Sequence, residues 1–281
     1  MQNKSKKIHF SIFTKEEVKE IWKAYSLKTD FSNPISASNY SRSFLKYFSE
    51  PTIFKQKFSL DDKRFTRARL HETKNTLLPN IKDLWYPPFE KVWLNRCNLP
   101  KQQVFYCSND LGTTVFEVQP KKGDWITTME IKLDKGPLEI SIIGANTMSI
   151  TAFNKLEEKD KGINLFFEDI FCEIITRGED YKYYKTALIT CHLLKNRYAL
   201  AYPSNRSNGK GMNVVFTKEF IDQYAYFKQA TVIEIVEIKS EYDIRVRCLY
   251  SATKLNQFGD LIWARVNDCR VHTINEDIYH R

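Results

Sequence analysis

No two cysteines of this chain are spaced as a CxxC pair. The six, at positions 97, 107, 172, 191, 248 and 269, follow no regular interval and no secretion signal. A disulfide framework is therefore not expected, and the thiols are read as reduced and mostly in the core. Histidine is scarce, five residues at 9, 71, 192, 272 and 280, and none has a partner three or four positions away. No metal site is predicted. Long apolar runs are missing as well. After the basic Met1-Gln2-Asn3-Lys4-Ser5-Lys6-Lys7 comes only Ile8-His9-Phe10-Ser11-Ile12-Phe13, too short and too polar for a signal-peptide core or a membrane span. A cytoplasmic protein with no membrane partner is expected. Nothing repeats at a fixed period, nothing is low in complexity, and no glycine- or proline-rich linker divides the chain.

Charge of one sign is not concentrated anywhere. The formal net charge is +9, yet no run reaches five like charges, and lysines alternate with glutamate and aspartate. No zinc finger, RNP-type motif or helix-turn-helix pattern accompanies the basic balance. Nucleic-acid binding is therefore not implied; a solvated basic surface or an acidic ligand fits better.

What is present is enough apolar residue, 42% of 281, to bury a substantial core in one large or two modest domains. Thr14-Lys15-Glu16-Glu17 is a capping box, starting a helix that carries Val18, Ile21, Trp22 and Tyr25 on one face. Polar turns surround Asp30 to Pro34, and a helix is predicted through Ser43 to Phe48, ending before Pro51. Phe65 to Leu70 reads as a short strand on which Arg67 and Arg69 point the same way. Trp85-Tyr86-Pro87-Pro88 reads as a rigid loop and Val104 to Cys107 as a buried strand whose Phe105 and Tyr106 face opposite sides. Ser108-Asn109-Asp110 offers N-cap oxygens to a short helix bearing Thr113, Thr114 and Glu117, with strand as the alternative given its β-branched content.

Strands are predicted at Trp125 to Leu133, Leu138 to Ile143, Ala199 to Tyr202 and Asn213 to Phe216, and helices at Ile163 to Thr176 and Tyr181 to Leu194. A helical turn near Phe220 to Phe227 precedes an antiparallel meander over Thr231 to Ile238, Asp243 to Tyr250 and Asp260 to Val266. The expected architecture is a mixed α/β (α+β) domain: a helical N-terminal extension over 1–60, a central domain over 61–227 and a β-rich C-terminal extension over 228–281 packed on the same domain.

Three pieces, in order, carry the functional information. The first is Phe65-Thr66-Arg67-Ala68-Arg69. The second is Arg96-Cys97-Asn98 with Pro100, Tyr106, Thr114 and Glu117. The third is Tyr202-Pro203-Ser204 with Gly211-x-Asn213-x-x-Phe216. Together they resemble the RES domain over roughly residues 63–217. Arg67 matches the family arginine, with Arg69 as the alternative one register away; Arg96 and Asn98 match its Arg-x-Asn, Tyr106 its tyrosine, Glu117 its glutamate and Ser204 its serine. One departure is Asn95, where the family often has glycine; asparagine tolerates a glycine-like turn better than most residues.

The resemblance implies an ADP-ribosyltransferase-like fold and a toxin that consumes NAD, as glycohydrolase, phosphorylase or ADP-ribosyltransferase, held in check by a separate Xre-type antitoxin; a homo-oligomer is also open. NAD would be substrate rather than resident cofactor. Cleaving its nicotinamide–ribose bond builds an oxocarbenium-like sugar, which a buried carboxylate stabilises, so Glu117 is the candidate for that role. Pyrophosphate calls for planar bidentate donors, and Arg67 and Arg96 are the candidates, with Arg69 behind them. Tyr106 could stack on a base or donate through its hydroxyl. Ser204 has neither a neighbouring histidine nor a nucleophile elbow, so it is expected to hydrogen bond a phosphate or ribose oxygen, with Asn98 and Asn213 as further binding residues. Arg206 is expected to be solvated, with only a weak case for phosphate contact. A non-catalytic module binding nucleic acid or protein stays open as the reading from a different class.

Overall fold

A computed structural model describes residues 14–26, 55–58, 64–73, 75–134, 138–144, 147, 150–176, 178–195, 197–207, 211–240, 243–267 and 270–275, with isolated positions 33, 35, 36, 39 and 43. The helix expected over 43–48 lies outside them apart from Ser43, as do most of the turns at 30–34, positions 208–210 of the loop after Ser204, Cys269 and His280.

The chain runs α1 (Lys15–Ser26), β1 (Lys55–Phe58), β2 (Arg64–Leu70), β3 (Val104–Ser108), α2 (Leu111–Glu117), β4 (Trp125–Leu133), β5 (Leu138–Ile142), α3 (Ile150–Asn154), α4 (Glu158–Cys172), α5 (Tyr183–Leu194), β6 (Ala199–Pro203), β7 (Met212–Thr217), α6 (Lys218–Tyr224), β8 (Ala225–Ser240), β9 (Asp243–Ala252), β10 (Ala264–Arg265) and β11 (Val271–Asn275). The strands form one mixed, mostly antiparallel sheet in the order β1-β5-β6-β7-β3-β2-β4-β8-β9-β10, with β11 also on β9. Among the described residues only β5 and β6 pair in parallel, and their crossover carries α3, α4 and α5. A crossover of that length is what a parallel neighbour requires.

The central strands are buried on both faces, which is why they read as continuous apolar runs. Val104 and Val215, with Leu200 and Tyr202, pack under α1, α4 and α5 against Trp22, Phe166, Phe167, Phe171 and Ile189. Their neighbours Phe105, Val214, Phe216, Ala199 and Ala201 turn the other way, to Phe65, Met129, Leu84 and Phe220. A third cluster joins Val115 and Phe116 of α2 to Ile126, Ile233, Ile235, Ile244 and Val246. The period of two thus sends Phe105 into the core and Tyr106 to the opposite face.

α1 begins with the expected reciprocal cap, Thr14 N to Glu17 Oε2 at 2.7 Å and Glu17 N to Thr14 Oγ1 at 3.3 Å. Its Val18 and Trp22 dock on α4, where Lys15 and Lys19 each reach Asp169 at 2.8 Å. A boundary at 227 falls inside β8, which pairs with β4 from Ala225 to Glu234 and with β9 from Ala230 to Ser240. Residues on either side of 227 therefore belong to one ladder.

Several expected elements move. α4 starts at Glu158 and ends at Cys172 rather than running from Ile163 to Thr176, because Glu173 turns to extended backbone. α5 begins at Tyr183 after a 3-10 turn over Asp180–Lys182. The predicted strand at 260–266 shrinks to Ala264–Arg265. Asp260 is drawn instead into a turn with Asn80 and Asn256, whose side-chain amides donate to its carboxylate at 2.8 Å. Residues 111–117 are helical, not strand.

Candidate functional site

Glu117 ends α2, a helix started by Asp110, whose side chain accepts from Thr113 N at 2.7 Å. That single cap sets the helix over the end of β3 and aims its last residue at the loop after β6. There Glu117 Oε1 accepts from Ser204 Oγ at 2.5 Å and from Asn213 Nδ2 at 2.6 Å. Ser204 is fully buried, and its own Oγ accepts from the Arg206 N–H at 3.2 Å. Two donors thus converge on one carboxylate oxygen, while Oε2 has no protein donor among the described residues. A carboxylate held this way presents one free, acceptor-only oxygen.

β2 and β3 share only one register pair, Thr66 with Ser108. Beyond it Arg67 makes the link, its Nη1 donating to the Tyr106 carbonyl at 2.9 Å with the guanidinium 5.5 Å from the centre of the Phe105 ring. Arg67 Nε is buried without an acceptor among the described residues. Burial, followed by the positive charge of Arg69, lowers its pKa, although a guanidinium remains charged at neutral pH. Arg69 points along the same strand face but lies outside the cavity, donating to the Asp83 carbonyl at 2.5 Å.

Arg96 is anchored differently. Its Nη1 donates to the Phe171 carbonyl and its Nη2 to the Glu173 carbonyl at 3.0 Å, satisfying oxygens that the end of α4 leaves open. Tyr183 lies beneath it, 5.3 Å from the guanidinium to the ring centre. A cation at a helix C-terminus is favourably placed.

Tyr106 lines the cavity, but its hydroxyl is already committed: it donates to Asn98 Oδ1 at 2.9 Å and accepts from Cys97 N at 2.8 Å. Burial, then the neighbouring Cys97, pushes the phenol well above its usual pKa. Asn98 is buried and donates to the Trp93 and Leu99 carbonyls at 2.7 and 2.9 Å, so it shapes the loop that carries Arg96 and does not face the cavity.

These groups surround one cavity of about 370 Å³, within the range of ligand sites. Arg67, Arg96, Tyr106, Glu117 and Asn213 all line it; Ser204 stands directly behind Glu117. Among the ionised lining residues are three cations, Arg67, Arg96 and Arg206, and one anion, Glu117. Such a surplus suits an anionic ligand. Arg206, half-buried, lines the wall, and with the Gln119 amide oxygen turned toward it, its Nε donates at 3.0 Å. Among the described residues no group of side chains could hold a metal ion, and no helix is long and apolar enough to cross a membrane.

Compared with protein-family models and with curated proteins, the chain matches none.

Sequence reasoning missed Ser108, Gln119, Tyr183 and Ile174 as lining residues. Ser108 could have been found only through strand pairing: it sits directly opposite Asn213 on β7. Tyr183 falls inside the helix expected from Tyr181, yet nothing in its neighbours ties it to Arg96.

Proposed function

We propose that this chain cleaves NAD at the nicotinamide–ribose bond, with Glu117 as the residue that stabilises the sugar cation. The observation that carries the reading is Glu117 Oε1 held by both Ser204 and Asn213, at 2.5 and 2.6 Å, in a cavity lined by three arginines. The order of Arg67, Arg96, Glu117 and Ser204 along the chain, which resembles the RES domain, supports it.

The reaction asks little covalent chemistry of the protein. The C1′–N1 bond breaks with its electron pair passing to the nicotinamide ring, which leaves neutral, and positive charge develops on the ribose. The free Glu117 Oε2 is suited to accept from a ribose hydroxyl and to face that charge; fixed acceptors of this kind act without reorganising during the reaction. Water or phosphate then attacks C1′ and loses its proton to solvent. Arg67, with its buried Nε and fixed Nη1, is the pyrophosphate donor of choice; Arg96, with two donors spent on backbone carbonyls, offers charge and its remaining N–H groups. Ser204 positions Glu117 rather than attacking.

The test is product analysis. Purified protein incubated with NAD is expected to release nicotinamide, giving ADP-ribose in water and ADP-ribose 1-phosphate if phosphate is the acceptor. Label from NAD appearing on protein would instead assign the chain as a transferase. No nicotinamide release, with cell lysate supplied as acceptor, would defeat the reading.

A further inference from the structure

Glu117 is tied to Ser108 of β3 through the side chain of Asn213. Ser108 Oγ lies 2.8 Å from Asn213 Oδ1, and Asn213 Nδ2 lies 2.6 Å from Glu117 Oε1. Both Ser108 and Asn213 are almost fully buried, at 3% and 6% exposure, so water competes little for either group. The two residues are also direct cross-strand partners, which fixes their separation through the β3–β7 ladder.

The direction of every proton in this chain is forced. An ionised carboxylate only accepts, so Asn213 must turn its NH2 to Glu117. Its carbonyl oxygen is then the group that meets Ser108, and the Ser108 hydroxyl must donate. On the other side the Arg206 N–H donates to Ser204 Oγ, so the Ser204 proton must go to the same Oε1. Were the Asn213 amide rotated by half a turn, its oxygen would oppose the carboxylate, and a repulsive contact would replace a charge-assisted hydrogen bond.

We infer that Ser108 is a positioning residue for the cleavage site: by donating to Asn213 it locks the amide orientation that holds Glu117 Oε1 and leaves Oε2 free for the ribose. The inference rests on the NAD reading for its catalytic consequence, and on hydrogen bonding alone for its structural one. Ser108 lines the cavity, so its second role is as an acceptor: with its proton spent on Asn213, it meets a ligand only through its lone pairs.

The experiment compares Ser108→Ala, Ser108→Cys and Ser108→Thr with the wild-type chain. Ser108→Ala removes the donor; Ser108→Cys keeps the volume with a poor donor, and replaces the alanine variant if that one does not fold; Ser108→Thr restores a hydroxyl. With NAD as substrate, kcat is expected to fall roughly tenfold to a hundredfold in the first two with KM little changed, because the amide set free costs Glu117 its Asn213 hydrogen bond, one to a charged group. The threonine variant is expected to recover most of it. In parallel, without any ligand, the Asn213 side-chain NH2 signal in an NMR spectrum is expected to sit downfield and exchange slowly in the wild-type and threonine proteins. It should move upfield and exchange faster in the other two. An unchanged amide signal in Ser108→Ala overturns the inference whether or not NAD is cleaved. So does a loss of kcat that Ser108→Thr does not restore, since that would mark packing rather than hydrogen bonding. A wild-type chain inert toward NAD, with the amide signal responding as expected, overturns the substrate reading and leaves the positioning role standing.

Discussion

Arg67 completes the sheet on the side of β3 that faces β2: past the single Thr66–Ser108 pair its Nη1 donates to the carbonyl oxygen of Tyr106 at 2.9 Å. A side chain thus does the work of a backbone N–H, and in doing so it is fixed at the floor of the cavity with Nε still lacking an acceptor among the described residues. Scaffold and cavity wall share one guanidinium.

Arg67→Lys separates these roles. Lysine keeps the charge but loses the planar fork, so affinity for ADP-ribose measured by calorimetry is expected to fall by about 1.5–3 kcal/mol, the scale of a charged hydrogen bond. Arg69→Lys, at a residue outside the cavity, is expected to leave affinity unchanged.

Arg96→Ala is expected to act on stability as well as binding. It strips the Phe171 and Glu173 carbonyls of their donors at the end of α4, and the loss should be about 2 kcal/mol, read as a lower denaturation midpoint at unchanged slope. Equal midpoints would show that these carbonyls find other donors.

Tyr106→Phe removes the hydroxyl that links Cys97 N to Asn98 Oδ1. A buried N–H and a buried amide oxygen lose their partner, so destabilisation of about 1–3 kcal/mol is expected in chemical denaturation. Because that hydroxyl is spent on the loop, ADP-ribose affinity is expected to change far less than in the Arg67 variant.

The docking of α1 carries a pH dependence of definite sign. Burial alone would raise the Asp169 carboxyl, but Lys15 and Lys19, each at 2.8 Å, bring it below its ordinary value. A folded-state pKa below the unfolded one means stabilisation that is present at neutral pH and is lost as pH falls through the folded value. Asp169→Asn is therefore expected to be slightly less stable than the wild-type chain at pH 7, on the scale of exposed ion pairs; the difference should start to shrink near about pH 3.9, the ordinary carboxyl value, and vanish below the lower folded one. A difference that persists in acid would assign the effect to packing.

Much of this was legible in the sequence because local rules and burial agreed. The capping box at Thr14, the apolar run Val104 to Cys107 and the alternation of Trp125 to Leu133 each name an element whose residues alone decide it. Lys55–Phe58 and Val271–Asn275 were not legible: each is short, and each is a strand only because β5 or β9 supplies its partner. The site divides in the same way. Residue type and order marked Arg67, Arg96, Glu117 and Ser204, whereas Arg206 and Ser108 enter through a turn and a cross-strand pair that no spacing announces. Tyr106 and Asn98 show the converse, since their positions were legible and the hydrogen bonds that bind them to each other were not.

The most direct measurement is nicotinamide release from NAD by the wild-type chain and by Glu117→Gln, which keeps the shape and removes the charge, with binding of ADP-ribose measured on both. Release is expected to fall roughly 10²–10³-fold in Glu117→Gln, the cost of removing one preorganised electrostatic group, while ADP-ribose still binds. Equal release by the two proteins, or none by either, would contradict Glu117 as the residue that stabilises the ribose cation.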